Sequence, residues 1–147
     1  MAIKEFLSPD DVLLDVRATD KIALLHDLAK RAAATLGIDV AAVSAALIKR
    51  EELGSTGMGA GVALPHARLA EISVPFGVLA RLRKKIDFAA IDGAPVDLVF
   101  LLLLPSTPEG DQLNALAAVA RKLRNAQVAA ELRHARDARE MYGAFAG

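Results

Sequence analysis

Residues Leu53 to Leu69, reading LGSTGMGAGVALPHARL, gather four of the ten glycines, two hydroxyl side chains and a histidine preceded by proline. Gly54, Gly57, Gly59 and Gly61 permit positive φ and a close backbone approach, and successive N–H groups in such a loop can form a concave anion site. The pattern points to a guest the size of a phosphate. It is not a P-loop, which needs Gly-Lys-Ser/Thr opening a helix. Nor is it a dinucleotide fingerprint, because the strand-like Val62-Ala63-Leu64 follows the glycines. Ser55 lacks the flanking glycine spacing of a nucleophile elbow. His66 is the better chemical group. Pro65 fixes its own φ and drives Leu64 toward extended geometry, so the imidazole leaves a strand end in a direction set by the backbone. An uncharged imidazole whose other nitrogen is held as a donor can act as a nucleophile near neutral pH. Taken alone, His66 reads as a loop-capping histidine, and its surroundings have to decide.

The elements that would position this loop can be read in order. Asp11 to Arg17 reads as a first strand. Thr19 or Asp20 caps a helix whose stripe is Ile22, Leu25, Ala29, Ala32 and Leu36, with Gly37 as its stop. Asp39 caps a second helix, striped by Val40, Val43, Leu47 and Ile48 and ending near Glu52. Arg50 then lies in its last turn, where a cation offsets the helix dipole and can lean over the loop toward His66. An arginine at a helix end also needs no ligand to explain it. After the loop, Phe76, Val78, Ala80 and Leu82 alternate as a strand that Arg83-Lys84-Lys85 interrupts as a solvated turn, with Ile86 to Phe88 as a short return. Ile91-Asp92-Gly93 reads as a turn and Asp97 to Leu104 as the strongest strand. Thr107 and Pro108 suit the start of a long helix to about Asn125, with Leu113, Leu116, Ala120 and Leu123 inside. Gln127 to Arg133 predicts a short helix, and Asp137 with Glu140 caps a last one through Tyr142. Helices alternating with strands predict a single α/β layer domain over residues 1–147.

Composition bounds the function classes. With 54% hydrophobic and 24% charged residues the chain is globular, and 18 basic against 18 acidic residues leave no broad electrostatic footprint for nucleic acid. The absence of cysteine excludes disulfides and thiolate chemistry and fits a reducing compartment, so the cytoplasm is the expected location. The apolar run Leu98 to Leu104 falls far below the ~20 residues of a membrane-spanning helix, and no secretory signal opens the chain, so no membrane insertion is expected.

Gly54-Ser55-Thr56-Gly57 followed by Gly61-Val62-Ala63-Leu64-Pro65-His66 resembles the phosphohistidine motif of the fructose/mannitol and nitrogen-type enzyme IIA proteins of the bacterial phosphotransferase system. The resemblance extends to Asp20-Lys21, Lys49-Arg50-Glu51, Ala90-Ile91-Asp92-Gly93 and Pro95-Val96-Asp97-Leu98, hence over nearly the whole chain. The Leu-Gly-Ser-Thr-Gly entry and Pro-His-Ala-Arg-Leu exit are most similar to the nitrogen-regulatory type. The resemblance implies a mixed sheet of about five strands flanked by helices. It implies that His66 accepts a phosphoryl group from an HPr-type phosphocarrier through Nε2 and can pass it to a IIB-type acceptor, as a phosphohistidine carrier more than a turnover enzyme.

It also implies that Arg50 lies against the phosphorylated ring. Loop N–H groups, Ser55 and Thr56 would donate to the phosphate, although the two hydroxyls read equally as turn-stabilising groups. No metal and no cofactor is called for; His66 with Asp92 or Asp97 matches no dedicated metal spacing. One position departs from the family pattern. Where a second histidine is usual at the start of the late helix, this chain has Gln112, whose amide can donate to a phosphoryl oxygen but cannot carry charge or exchange a proton near neutrality. Three functions follow as expectations: a regulator whose target proteins depend on the state of His66, a sugar-specific IIA component serving a separate IIB and permease, or an interaction module that is not phosphorylated.

Overall fold

The computed structural model describes residues 1–147, and its centre is the strand that the sequence marks most strongly. β6 (Val96–Pro105) is almost wholly buried, as an apolar run covered on both faces must be. It pairs antiparallel with β5 (Phe76–Ile86), which in turn pairs parallel with β1 (Val12–Val16). On its other side β6 pairs parallel with β3 (Val62–Ala63) and then with β4 (His66–Leu69), while β2 (Gly57–Gly59) folds back antiparallel on β3. The sheet order is therefore β1-β5-β6-β3-β2, with β4 continuing the β3 edge: six strands where about five were expected.

Alternate residues of β6 feed two separate cores. Val99, Leu101 and Leu103 face α1 (Lys21–Leu36) and α2 (Val40–Glu52). Leu98, Phe100, Leu102 and Leu104 face α3 (Ala115–Arg124), α4 (Ala126–His134) and α5 (Ala138–Ala146). On the second side Phe100 stacks on Phe145 at 5.3 Å and meets Phe6 edge-on. Gly77 on β5 makes room for that ring, since a Cβ there would lie 2.5 Å from Phe100 Cζ.

The caps follow the expected chemistry. Asp20, not Thr19, caps α1 by accepting from Ala23 N at 2.8 Å, and Gly37 ends the helix at φ +69°. Asp39 caps α2 and Asp137 caps α5, which runs on to Ala146. Arg81, half-buried on β5, donates through one Nη1 to the carbonyls of Leu132, Arg133 and Ala135, closing the C-terminal end of α4.

Several expectations are corrected. The late helix starts at Ala115 and not at Thr107-Pro108: Glu109 is extended, Gly110 sits at φ +54°, and a 3-10 turn over Gly110–Asn114 precedes α3. Leu113 falls on that turn and is exposed instead of lining the core. Arg83-Lys84-Lys85 does not break β5, which continues to Ile86 opposite Val96 with these three side chains in solvent; no separate strand forms over Ile86 to Phe88. Ile22 faces solvent, and the buried stripe of α1 is Leu24, Leu25, Leu28, Ala29 and Ala32.

Candidate functional site

His66 begins β4, directly after the one interruption of the β3–β4 edge. Val62 and Ala63 pair with Leu98 and Val99, and His66 resumes opposite Leu102, so the register against β6 is the same on both sides of Leu64-Pro65. Pro65 has no N–H to offer, but its carbonyl accepts from Leu102 N at 2.9 Å, while Leu64 N turns away to Thr56 O at 3.0 Å. Leu64 O is thereby left for the histidine: His66 Nδ1 lies 2.8 Å from it. A carbonyl can only accept, so Nδ1 carries the proton and Nε2 keeps its lone pair. Burial, the largest influence, lowers the imidazole pKa below its ordinary value of 6.5; the Leu64 carbonyl opposes this, Arg50 lowers it further and Glu51 raises it. The ring is held neutral, in one tautomer, with Nε2 as its reactive nitrogen.

Two clefts meet at His66. The larger, about 410 Å³, runs between α2 and β4 and is lined by Lys49, Arg50 and Arg68 with Ala46, Leu53 and Leu116. The smaller, about 230 Å³, lies between the glycine-rich loop and α3 and includes Arg50, Ser55, Leu116, Ala120 and Arg124. Arg50, His66 and Leu116 belong to both. Arg50 Nη1 donates to Gly54 O at 2.9 Å, which fixes the guanidinium over the mouth of the loop.

The loop itself is built from below. Glu51, buried in the last turn of α2, accepts from Thr56 N at 3.2 Å and from the Thr56 hydroxyl. It also pairs with Lys21 Nζ at 2.5 Å. Lys21 in turn donates to Phe88 O and sits 4.7 Å over the Phe88 ring. Ser55 Oγ donates to Phe88 O at 2.7 Å and accepts from Gly57 N at 3.0 Å. Both hydroxyl protons thus go to groups outside the loop, the Phe88 carbonyl and the Glu51 carboxylate, and anchor it to its neighbours. Gly57 is required by proximity, because a Cβ there would stand 2.8 Å from Ala90 Cβ. Asp92 receives Ala60 N at 2.9 Å and Ala94 N at 3.0 Å, and these two amides hold its carboxyl below the usual carboxylate range. Asp97 is engaged by Arg133, which also donates to Ala60 O. Asp92 and Asp97 therefore brace the loop, the first directly and the second through Arg133.

Among the residues singled out from sequence, His66, Arg50, Ser55 and Thr56 line one cleft, the last two with their hydroxyl protons committed elsewhere. Gln112 lines neither cleft. Its Nε2 donates to Ser73 O at 3.1 Å and its Oε1 accepts from Glu109 N at 3.2 Å, so it fastens the turn before α3. Arg124 is the member of the cleft that no motif marks. Leu116, Ala120 and Arg124 recur every fourth residue, so the ridge of α3 that faces His66 can be read once the start and phase of the helix are known.

A family model described as "Phosphoenolpyruvate-dependent sugar phosphotransferase system, EIIA 2" matches residues 5–146. The chain belongs to this family. It is 43% identical over 146 residues to a nitrogen regulatory protein of Bradyrhizobium diazoefficiens, an alignment covering 99% of this chain and 95% of that one. It is 37% identical to the nitrogen regulatory protein of Pseudomonas aeruginosa, over 95% and 92% of the two chains. Among solved structures, the nitrogen regulatory protein IIA-Ntr of Neisseria meningitidis superposes with a TM-score of 0.91 at 33% identity, covering 97% of this chain and 98% of the other. IIA mannitol of Escherichia coli shares the fold, with a TM-score of 0.77 at 17% identity over 95% and 99% of the chains. The EIIA-2 chain is thus a mixed α/β protein related to nitrogen regulatory proteins, and none of its helices is long and apolar enough to cross a membrane.

Proposed function

We propose that this EIIA-2 protein accepts a phosphoryl group on His66 Nε2 from the phosphohistidine of an HPr-type carrier, and acts as a cytoplasmic regulator whose binding to target proteins depends on that modification. The observation that carries the reading is the 2.8 Å bond from His66 Nδ1 to Leu64 O, which leaves Nε2 unprotonated at the meeting point of two clefts rimmed by Lys49, Arg50, Arg68 and Arg124. In the transfer, the bond between phosphorus and the carrier's ring nitrogen breaks as the bond to Nε2 forms, and the electron pair of the broken bond stays on the donor imidazole. The chain's part is to hold Nε2 in line and to offset charge on the equatorial oxygens. Arg50 supplies a fixed guanidinium for this purpose. The similarity to nitrogen regulatory proteins supports the regulatory role.

A second reading, relay of the group from His66 to a IIB-type acceptor, draws support from another solved structure of the same fold. Enzyme IIA mannitol of Escherichia coli, in complex with phosphorylated enzyme IIB mannitol, matches with a TM-score of 0.79 at 17% identity over 96% and 97% of the chains.

The test is intact mass after incubation with phosphoenolpyruvate, enzyme I and an HPr-type carrier. One added phosphoryl group, lost in His66→Ala, is the expected outcome. No addition, while a control IIA protein in the same tube is labelled, would favour the unmodified interaction module. Adding a IIB protein to the labelled chain then separates regulator from relay: the regulator keeps its label.

A further inference from the structure

The smaller cleft beside His66 contains two guanidinium groups of different standing. Arg50 comes from α2, on one side of the sheet, and is tied to Gly54 O at 2.9 Å. Arg124 comes from the last turn of α3, on the opposite side, is exposed, and takes part in none of the ion pairs. The face of α3 that carries it is nevertheless set by the core. Ala115, Val119 and Leu123 are buried in the core and set the rotation of α3, which turns the ridge Leu116, Ala120, Arg124 toward His66. Gln112 lines neither cleft and is bound to Ser73 and Glu109 ahead of the helix.

We infer that Arg124 is a phosphoryl-binding residue: its guanidinium takes oxygens of the group carried on His66 from the α3 side, opposite Arg50. The assignment rests on the phosphoryl-accepting reading of His66. It has a physical rationale in the lining of the cleft, where Arg50 and Arg124 are the two cationic side chains beside His66 and a phosphoryl group would bring a dianion. A planar, charged fork can meet two oxygens at once with parallel N–H groups from two nitrogens, a geometry that neither a histidine nor a neutral glutamine amide offers. Around a dianionic group the two arginines from opposite layers would form a clamp, with Nε2 between them.

The test uses the full chain labelled in two ways: by an HPr-type carrier, and by phosphoramidate, a small donor that needs no carrier. Arg124→Gln and Arg124→Lys are compared with the parent, and His66→Ala identifies the signal. Phosphorus NMR follows the ionisation of the bound phosphoryl group against pH. A cation in contact favours the dianion, so the midpoint should rise in Arg124→Gln and return part of the way in Arg124→Lys. At a fixed ratio of carrier, the phosphorylated fraction relative to the free form should fall about two- to fivefold in Arg124→Gln, the range of an exposed ion pair. An unchanged midpoint in Arg124→Gln would overturn the assignment and leave Arg124 a helix-end charge, a role that alters stability alone. Labelling by phosphoramidate but not by the carrier would sink the carrier reading while the midpoint still judges Arg124. Labelling by neither would overturn both.

Discussion

The tautomer of His66 is decided by two neighbours in sequence. Proline at 65 takes a donor out of the edge strand, Leu64 leaves the ladder, and its carbonyl is then available to the ring two residues on. The rigid mount behind Pro65 was legible from sequence because it is local; that the Leu64 carbonyl accepts from the ring was not, because it depends on where the chain turns between β3 and β4. The pH behaviour follows. With its pKa lowered chiefly by burial and further by Arg50, His66 should titrate below 6.5, and Arg50→Gln should move the midpoint upward without restoring the ordinary value, since burial remains. Nitrogen NMR of the ring against pH checks both. The sign for stability is that of a depressed pKa: the contribution is complete above 6.5 and is lost as pH falls toward the folded midpoint, where the native ring must accept a proton it resists. Acceptance of a phosphoryl group depends on the native ring alone, so it should persist below 6.5 and decline only through the lowered midpoint. A midpoint at or above 6.5 would remove the argument for a neutral nucleophile held by its surroundings.

At the scale of elements, the glycine-rich loop owes its shape to the ends of α1 and α2 more than to its own residues. Lys21 and Glu51 meet at 2.5 Å, with the Glu51 side chain only 4% exposed and Lys21 19%. Removing one partner leaves a buried charge uncompensated, so Lys21→Met should cost about 3 kcal/mol in urea unfolding, and adding Glu51→Gln should recover more than half of that by removing the stranded charge. A cost below ~1 kcal/mol for the single variant would mean that water replaces the amine and that the loop is held by other bonds.

What could not be read beforehand was also decided between elements. Thr107 and Pro108 both suit a helix start; Gly110 at positive φ overrides them, and Gln112 ends on the turn, bound to Ser73 O. Arg124 went unmarked for the same reason, since which arginine of α3 meets a given edge depends on where the helix begins and how its core residues rotate it. At Arg83-Lys84-Lys85 the reason is different: three successive cations look like a turn, yet extended backbone tolerates them where both faces are wet.

For the whole molecule, a formal net charge of zero conceals an uneven distribution. Lys49, Arg50, Arg68 and Arg124 gather on the clefts around His66. A donor that brings a phosphoryl group, itself an anion, should be drawn to this face, so transfer from a phosphorylated carrier should slow several-fold from low to high ionic strength. Stopped-flow transfer rates across a salt series measure this. A flat series would assign recognition to the apolar part of the surface, Leu53 and Leu116, in place of charge. The two cores, one on each face of β6, make the sheet the common support of every group in the cleft, with Arg50 reaching it from one side and Arg124 from the other.

The unchanged register of β3 and β4 against β6 bears on how such a protein can vary. His66 takes its position from Leu102 across the ladder and not from the length of chain that precedes it. The loop between α2 and β3 is tied to the imidazole through its backbone, by Leu64 N donating to Thr56 O, so its exposed side chains are uncoupled from the coordinate of the ring. Side chains can change there, at an exposed position such as Leu53, and the histidine would stay on its mark. Evolution, or an engineer, can recut the lip that meets a partner while leaving the reactive nitrogen where the sheet holds it.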